Sequence, residues 1–222
     1  MRTPVYVAGT GIISAIGNNT AECIAALQNG QAAIGAMQYF DSVHRQKIPV
    51  AEVKLDNNSL AKLAGLPNTK SRTALLSLVA AKEALDNAGI KNIAALRTGF
   101  ISANSVGGMD KTENFFAQFL SDNQNGQLRD VVHHECGGVT ELVADQLGIK
   151  DYVTTISTAC SSSANAIFFG ARLIKNDLLD VVVAGGTDAL TKFTLNGFNT
   201  LMILDEQFCQ PFDENRRELI FG

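Results

Sequence analysis

The stretch YVTTISTACSSSANAIFFGARLIKN, Tyr152 to Asn176, places one thiol, Cys160, where β-branched residues give way to helical spacing. Three serines, Ser161, Ser162 and Ser163, follow directly. A helix start leaves backbone N–H groups without partners and carries partial positive charge, which favours a thiolate over a thiol. The same N–H groups could donate to the oxyanion that forms when a thioester or amide carbonyl is attacked. A strand entering directly before the cysteine would hold its sulfur on rigid elements. The small flanking residues, Ala159 and Ala164 with the serines, would let another backbone or a long substrate come close. Nucleophilic chemistry is one reading of Cys160; the other is a small buried hydrophobe, as most free cysteines are.

The remaining candidates carry less. Cys23 lies in the helical run AECIAALQ and Cys209 precedes QPFD; both read as packing residues or surface thiols. The segment HHEC, His133 to Cys136, has poor metal spacing, because adjacent ligands project in different directions. Gly9, Gly11 and Gly17 tempt a dinucleotide reading, but Ser14 stands where the third glycine of GxGxxG belongs, so a tight turn after a strand is preferred. Gly107-Gly108 and Gly185-Gly186 each follow an expected strand and permit unusual dihedrals or close backbone approach. A Cys/His enzyme needs an imidazole, yet His44, His133 and His134 all fall in loop segments, and His133 and His134 read as loop or helix-start residues. The residues alone therefore give one nucleophile and no obvious base.

Stepping outward, VYVAGTGIIS reads as a buried strand running into a glycine-rich turn, and TAECIAALQNG as a short helix opened by Thr20 and closed by Gly30. KSRTALLSLVAAKEALDNAGI is the clearest helix: Leu75, Leu78, Val79, Leu85 and Ala88 recur at helical spacing and Gly89 sits where a C-cap belongs. RTGFISANS, DYVTTIS and LLDVVVAGGTDAL read as strands. KTENFFAQFLS, GGVTELVADQLGI, the segment after Cys160 and the region of TLNGFNTLMIL read as helices. Short continuous runs of Val, Ile and Ala alternating with helices imply a largely parallel sheet covered on both faces, a layered α/β architecture. MQYFDSVHRQKIPV and SDNQNGQLRDVVHHEC read as loops. No linker or repeat divides the chain, so one compact domain is expected.

With 222 residues, 46% of them hydrophobic, the chain can bury a sizeable core. A charged fraction of 18% and a net charge of −4 exclude a bulk basic field for nucleic acid or an anionic membrane. No apolar run approaches the length of a membrane span, and the opening MRTPVYVAGTG lacks the features of a secretory signal. The cytoplasm is the expected compartment, and the four scattered cysteines read as free thiols.

Three segments together, STACSSSANAI, VVVAGGTDAL and CQPFDENR, resemble the β-ketoacyl-[acyl-carrier-protein] synthases, the condensing enzymes of fatty-acid and polyketide synthesis. The resemblance runs from end to end. VYVAGTGIISAIGN is similar to the family's opening strand and turn, SVGGMDKTE to its glycine-containing loop near the acyl pocket, and TACSSS to its active-cysteine signature. It implies a layered thiolase-like α/β fold with a mixed, mostly parallel sheet and helices on both faces. Residues 1–222 would form the amino-terminal half, the carboxy-terminal half being absent. It also implies a homodimer built across the sheet edge. The small-residue helix after Cys160 would be buried, accounting for Ala166, Gly170 and Ala171.

On that resemblance Cys160 is the catalytic nucleophile. It would take an acyl group from the phosphopantetheine arm of acyl carrier protein and then undergo condensation with a decarboxylating malonyl-carrier protein. The backbone N–H of Cys160 would supply half an oxyanion hole. Gly107, Gly108 and Met109 would line the acyl pocket, and Lys70 and Arg72 would dock the acidic carrier protein. No cofactor, metal, nucleic acid or membrane partner is expected. The family's two catalytic histidines, its lysine and its Gly-Phe loop lie in the second half, and His44, His133 and His134 match none of them. After PFDENR the family continues into a Gly-Glu-Gly turn, whereas here RELIFG follows; a truncated frame, a sequence error or a deliberately shortened chain would give that pattern. The chain alone is accordingly expected to be inactive. The alternatives are a noncatalytic folded fragment and a subunit like a chain-length factor.

Overall fold

The computed structural model describes residues 4–68, 70–216 and 219–222. In chain order the elements are α1 (Thr20–Gln28), β1 (Ile34–Gly35), β2 (Val50–Ala51), α2 (Asn57–Ala64), α3 (Arg72–Asn87), β3 (Thr98–Ala103), α4 (Met109–Ser121), α5 (Cys136–Leu147), β4 (Tyr152–Ile156), α6 (Ser162–Lys175), β5 (Val181–Gly186) and α7 (Lys192–Thr200). Where the sequence reading expects one compact domain, the chain divides into two units. One runs to Gly11 and resumes over Asn57–Ala189; the other comprises Ile12–Asp56 and Leu190–Gly222.

The larger unit is built on a parallel sheet of order β4-β3-β5. All six residues of β3 are buried. Because side chains alternate across a strand, that central strand is covered on both faces. On one face Ile101 and Ala103 pack against Ala166 and Leu173 of α6 and against Leu179. On the other, Thr155 Oγ1 of β4, level with Ser102, donates to Thr140 Oγ1 of α5 at 2.7 Å. The expected layered α/β arrangement is thus present, with parallel strands and helices on either side.

Helix α3 starts where Ser71 accepts a hydrogen bond from the Ala74 amide, and it ends before Gly89, whose φ of 68° is the left-handed conformation of a helix stop. Leu75 and Leu78 are fully buried along it, worth about 1.5–3 kcal/mol each in apolar burial. A second cap comes from another element: Asp110, in the first turn of α4, accepts the Arg72 amide at 3.0 Å. The two helix starts are pinned together by one carboxylate.

The expected opening strand is corrected. Residues 4–13 lie in no strand among the described residues. A Cβ at Gly9 or Gly11 would run into the backbone of α3 at Ala84, Ala88 or Ala80, so the segment lies directly on that helix. Tyr6 and Val7 are left 81% and 82% exposed. A helix surface offers no ladder of donors and acceptors, so an extended segment resting on one has the strand's composition without its pairing. Gly9 and Gly11 serve this close approach.

The smaller unit pairs β1 with β2 antiparallel and packs Met37, Ile48, Val50 and Leu195 of α7 into its core. The buried carboxylate of Glu52 is satisfied by the amides of Gln38 and Tyr39. Asn19, rather than Thr20, caps α1. Cys23 is buried there with its thiol against Ser14 Oγ and the Gly17 carbonyl, a packing residue as one sequence reading has it.

Burial pushes the Asp110 carboxyl above its ordinary value of 3.8, a shift that the Arg72 amide partly opposes. The protonated form is therefore the better accommodated. Its contribution to stability is fully present below the ordinary value and is lost as pH rises through the raised one. Asp110→Asn keeps an acceptor for the Arg72 amide but cannot ionise. Its melting temperature should gain on that of wild type as pH rises above the ordinary carboxyl value of 3.8; a gap that stays constant as pH rises would contradict this account of Asp110.

Candidate active site

The parallel register brings the strand ends level, with Ala103 opposite both Ile156 and Gly186. Three loops leave the sheet together at its carboxyl edge, where ligands of open parallel sheets bind. They are the turn after β3 carrying Gly107 and Gly108, the turn after β4 carrying Cys160, and the short run after β5 carrying Asp188.

Cys160 is exposed, in a single 3-10 turn over Ala159–Ser161 between β4 and α6. Its predecessor Ala159 has φ of 53°, in the left-handed region that non-glycine residues enter at a cost. The serines explain how that conformation is held. Ser162, buried at the first position of α6, accepts from the Thr158 amide at 2.7 Å and donates to the Ala159 carbonyl at 2.7 Å. Ser161 Oγ donates to the Thr158 carbonyl, and Asn165 Nδ2 reaches back to Thr158 Oγ1 and Ser161 Oγ. Ser163 Oγ stands where a side chain on Gly186 would be, so the helix start is seated against the end of β5. The result is an elbow that projects the thiol outward. The Cys160 amide has no acceptor among the described residues and is available to an oxyanion.

The turn after β3 is held as firmly. Asp188 accepts the amides of Ser105 at 2.9 Å and Val106 at 3.1 Å. Buried Asn104 accepts the Gly107 amide at 3.2 Å and donates to the Cys136 carbonyl at 3.3 Å. The Gly108 amide donates to the His134 carbonyl at 3.1 Å. Gly107 has φ of 55°, and a Cβ there would meet the His134 carbonyl oxygen. This glycine pair lets the 133–136 segment close over the turn. Met109 opens α4 half-buried. Desolvation raises the Asp188 carboxyl above the usual range, partly offset by the Ser105 and Val106 amides. Cys136 completes the cluster: burial first, then Asp188, pushes its thiol up, while hydrogen bonds with Ser157 and Gly107 pull the other way.

The other candidates from the sequence are placed elsewhere. No hydrogen bond joins an imidazole to Cys160 among the described residues; His134 Nδ1 pairs with Thr112 Oγ1 and His44 Nε2 with Asn196 Oδ1. Lys70 is half-buried just before α3. Arg72 turns its guanidinium onto Asn57 Oδ1 at 2.8 Å, so it is committed within the fold. Among the described residues, helix α6 is covered on one face. Ala166 and Gly170 are buried and Ala171 is half-buried, while Ile167 and Phe168 are 57% and 61% exposed. Asp188, Asn104 and Asn165 were not singled out from the sequence, and Ser162 was read only as a small residue flanking Cys160. A carboxylate two residues beyond a Gly-Gly at the end of a parallel strand was the available signal for Asp188.

A family model described as "Beta-ketoacyl synthase, N-terminal domain" matches residues 2–222. The chain belongs to that family. Among curated relatives, this ketoacyl-synthase domain is 28% identical over 231 residues to a nodulation protein E of Rhizobium meliloti (strain 1021), covering 98% of this chain and 55% of the relative. It is 26% identical over 238 residues to the tetracenomycin polyketide synthase ketoacyl synthase alpha subunit of Streptomyces glaucescens, with the same coverage. It is 24% identical over 232 residues to 3-oxoacyl-[acyl-carrier-protein] synthase 2 of Coxiella burnetii, again with that coverage. The chain spans about half the length of the curated relatives it matches. Among solved structures, the ishigamide ketosynthase/chain length factor superposes with a TM-score of 0.88 at 23% identity, covering 99% of this chain and 56% of that one. The ketosynthase ApeO in complex with its chain length factor ApeC, from Xenorhabdus doucetiae, gives 0.77 at 26% identity, covering 98% and 55%. The fold is the thiolase-like fold of ketosynthases.

The left-handed Ala159 sets a direct check on the elbow. Ala159→Val should cost roughly 1–3 kcal/mol in urea unfolding, because a β-branched residue is still less tolerated at positive φ. Ala159→Gly should cost nothing comparable, since glycine enters that region freely.

Proposed function

We propose that this chain is the nucleophile-bearing, amino-terminal half of a cytoplasmic 3-oxoacyl-[acyl-carrier-protein] synthase acting in fatty-acid or polyketide synthesis. The observation that carries the reading is the exposed Cys160 on a strained, serine-braced elbow with its own amide unengaged. The Cys160 sulfur attacks the thioester carbonyl of an acyl-carrier protein, the carrier's pantetheine thiol leaves, and the acyl group becomes a Cys160 thioester. Malonyl-carrier protein loses carbon dioxide, and the carbanion left behind attacks that thioester carbonyl. The carbon–sulfur bond to Cys160 breaks, and a 3-ketoacyl-carrier protein two carbons longer departs. At each attack the developing oxyanion meets the Cys160 amide as one of its two donors.

Proton transfer and the second oxyanion donor come from a second half of similar size in the complete enzyme. The exposed apolar side chains of α6 next to Cys160 are the surface that second half covers. The active assembly is a dimer, with a second copy or with a paralogous subunit; two of the structurally similar proteins are ketosynthases described together with chain length factors. A noncatalytic, chain-length-factor-like role is the second reading for this chain, and the intact Cys160 elbow weighs against it. Carrier protein docks through Lys70 near the start of α3. Arg72, held by Asn57, contributes less to that docking than the sequence suggested.

Two outcomes follow. The purified 222-residue chain should form no 3-ketoacyl product from acyl- and malonyl-carrier protein, while Cys160 remains the thiol most reactive toward iodoacetamide by peptide mass spectrometry. Product at family-like rates, or equal labelling of Cys209, would count against the reading. Lys70→Glu should weaken carrier-protein binding about three- to tenfold, with a loss that shrinks in high salt; Arg72→Gln should do less in the same titration.

A further inference from the structure

In the turn after β3, the amides of Ser105 to Gly108 are all committed. Ser105 and Val106 donate to Asp188, Gly107 to Asn104, and Gly108 to the His134 carbonyl. A ligand crossing the Ser105–Gly108 stretch finds no backbone N–H left to donate, so these amides offer it no grip. What the turn can do is set the room available. Its height above the sheet is fixed from the loop after β5 by a single carboxylate. Asp188 spends both oxygens on it, Oδ1 on Ser105 and Val106 and Oδ2 on Ser105 at 3.0 Å. Two residues before Asp188, at the end of β5, Gly186 seats Ser163 of the Cys160 helix. One short segment therefore gauges the distance between the nucleophile's helix and the Gly107–Met109 turn.

We propose that Asp188 is a positioning residue that sets acyl-chain selectivity by fixing the Ser105–Met109 turn relative to Cys160. This rests on the functional reading above, and it adds that the acyl tail of the Cys160 thioester passes that turn, which leaves the same sheet edge as the Cys160 turn. An asparagine at this position keeps one oxygen for the two amides but turns an NH₂ toward the Ser105 amide where Oδ2 now accepts. Two donors then face each other and the turn must shift. A change in room of about one methylene is worth roughly ten- to two-hundredfold between neighbouring chain lengths.

The test uses the complete enzyme as wild type, Asp188→Asn and Asp188→Glu, and measures kcat/KM for a short and a long acyl-carrier protein. The readout is the ratio of the two values, because a loss of folded enzyme lowers both equally and leaves the ratio unmoved. Asp188→Asn should change the ratio about tenfold, and Asp188→Glu, which restores both acceptor oxygens, should change it less. Where an Asp188 variant fails to fold, Asn104→Ser releases the Gly107 amide at the other end of the same turn and should shift the ratio likewise. An unchanged ratio in the folded variants overturns the proposal and leaves the functional reading standing. A wild-type enzyme that condenses neither substrate overturns that reading and the proposal with it.

Discussion

Parallel pairing of β3 with strands on both sides, at a register that ends Ala103, Ile156 and Gly186 together, is the constraint on which the site depends. A parallel sheet sends its connections out at one edge, and loop amides at that edge have lost the ladder that satisfied them within the strands. Each loop here solves the problem with a side chain of its own or of its neighbour. Asn104 and Asp188 serve the turn after β3, and Ser162 serves the turn after β4. The polar residues around the site are thus first a solution to backbone accounting. Their chemical consequence is that the Cys160 amide is left without an acceptor among the described residues.

That leftover amide and the outward thiol both come from Ala159. A left-handed alanine costs on the order of 1 kcal/mol, and the cost is met locally by the paired hydrogen bonds of Ser162 and by the bracket of Thr158, Ser161 and Asn165. Without the kink, the chain would pass from β4 into α6 with the sulfur lying along the helix, packed as an ordinary apolar residue. The two readings of Cys160 that its sequence neighbours left open differ by this one dihedral angle. The exposed thiol excludes the buried hydrophobe.

How much of this was legible follows from how local each cause is. Three strands, the long helix with Gly89 at its end, and Cys160 at a strand-to-helix junction were all readable, because composition and spacing over a few residues determine them. Val5 to Gly9 carry the same strand composition as β5, yet lie unpaired on α3; pairing is a property of a neighbour, and the sequence of one segment cannot supply it. Arg72 reads as a surface cation at a helix start, but Asn57, fifteen residues earlier, claims its guanidinium. Asp188 lies 83 residues from the Ser105 amide it holds. No spacing rule connects them; only the parallel register does.

The same register leaves one face of α6 exposed beside the Cys160 elbow among the described residues. Helix α6 buries Ala166, Gly170 and Leu173 on the sheet, which leaves Ile167 and Phe168 facing outward beside the elbow. Large apolar side chains exposed in a row next to a functional group mark a surface that another element covers. The missing chemistry points the same way. A thiol nucleophile needs a base within hydrogen-bond reach, and His44 and His134 are held by Asn196 and Thr112. Under the proposed function, one covering body answers both needs: it closes the apolar face of α6 and carries the imidazoles over Cys160. Burial and catalysis then arrive in the same docking event, and water leaves the elbow as the base reaches it.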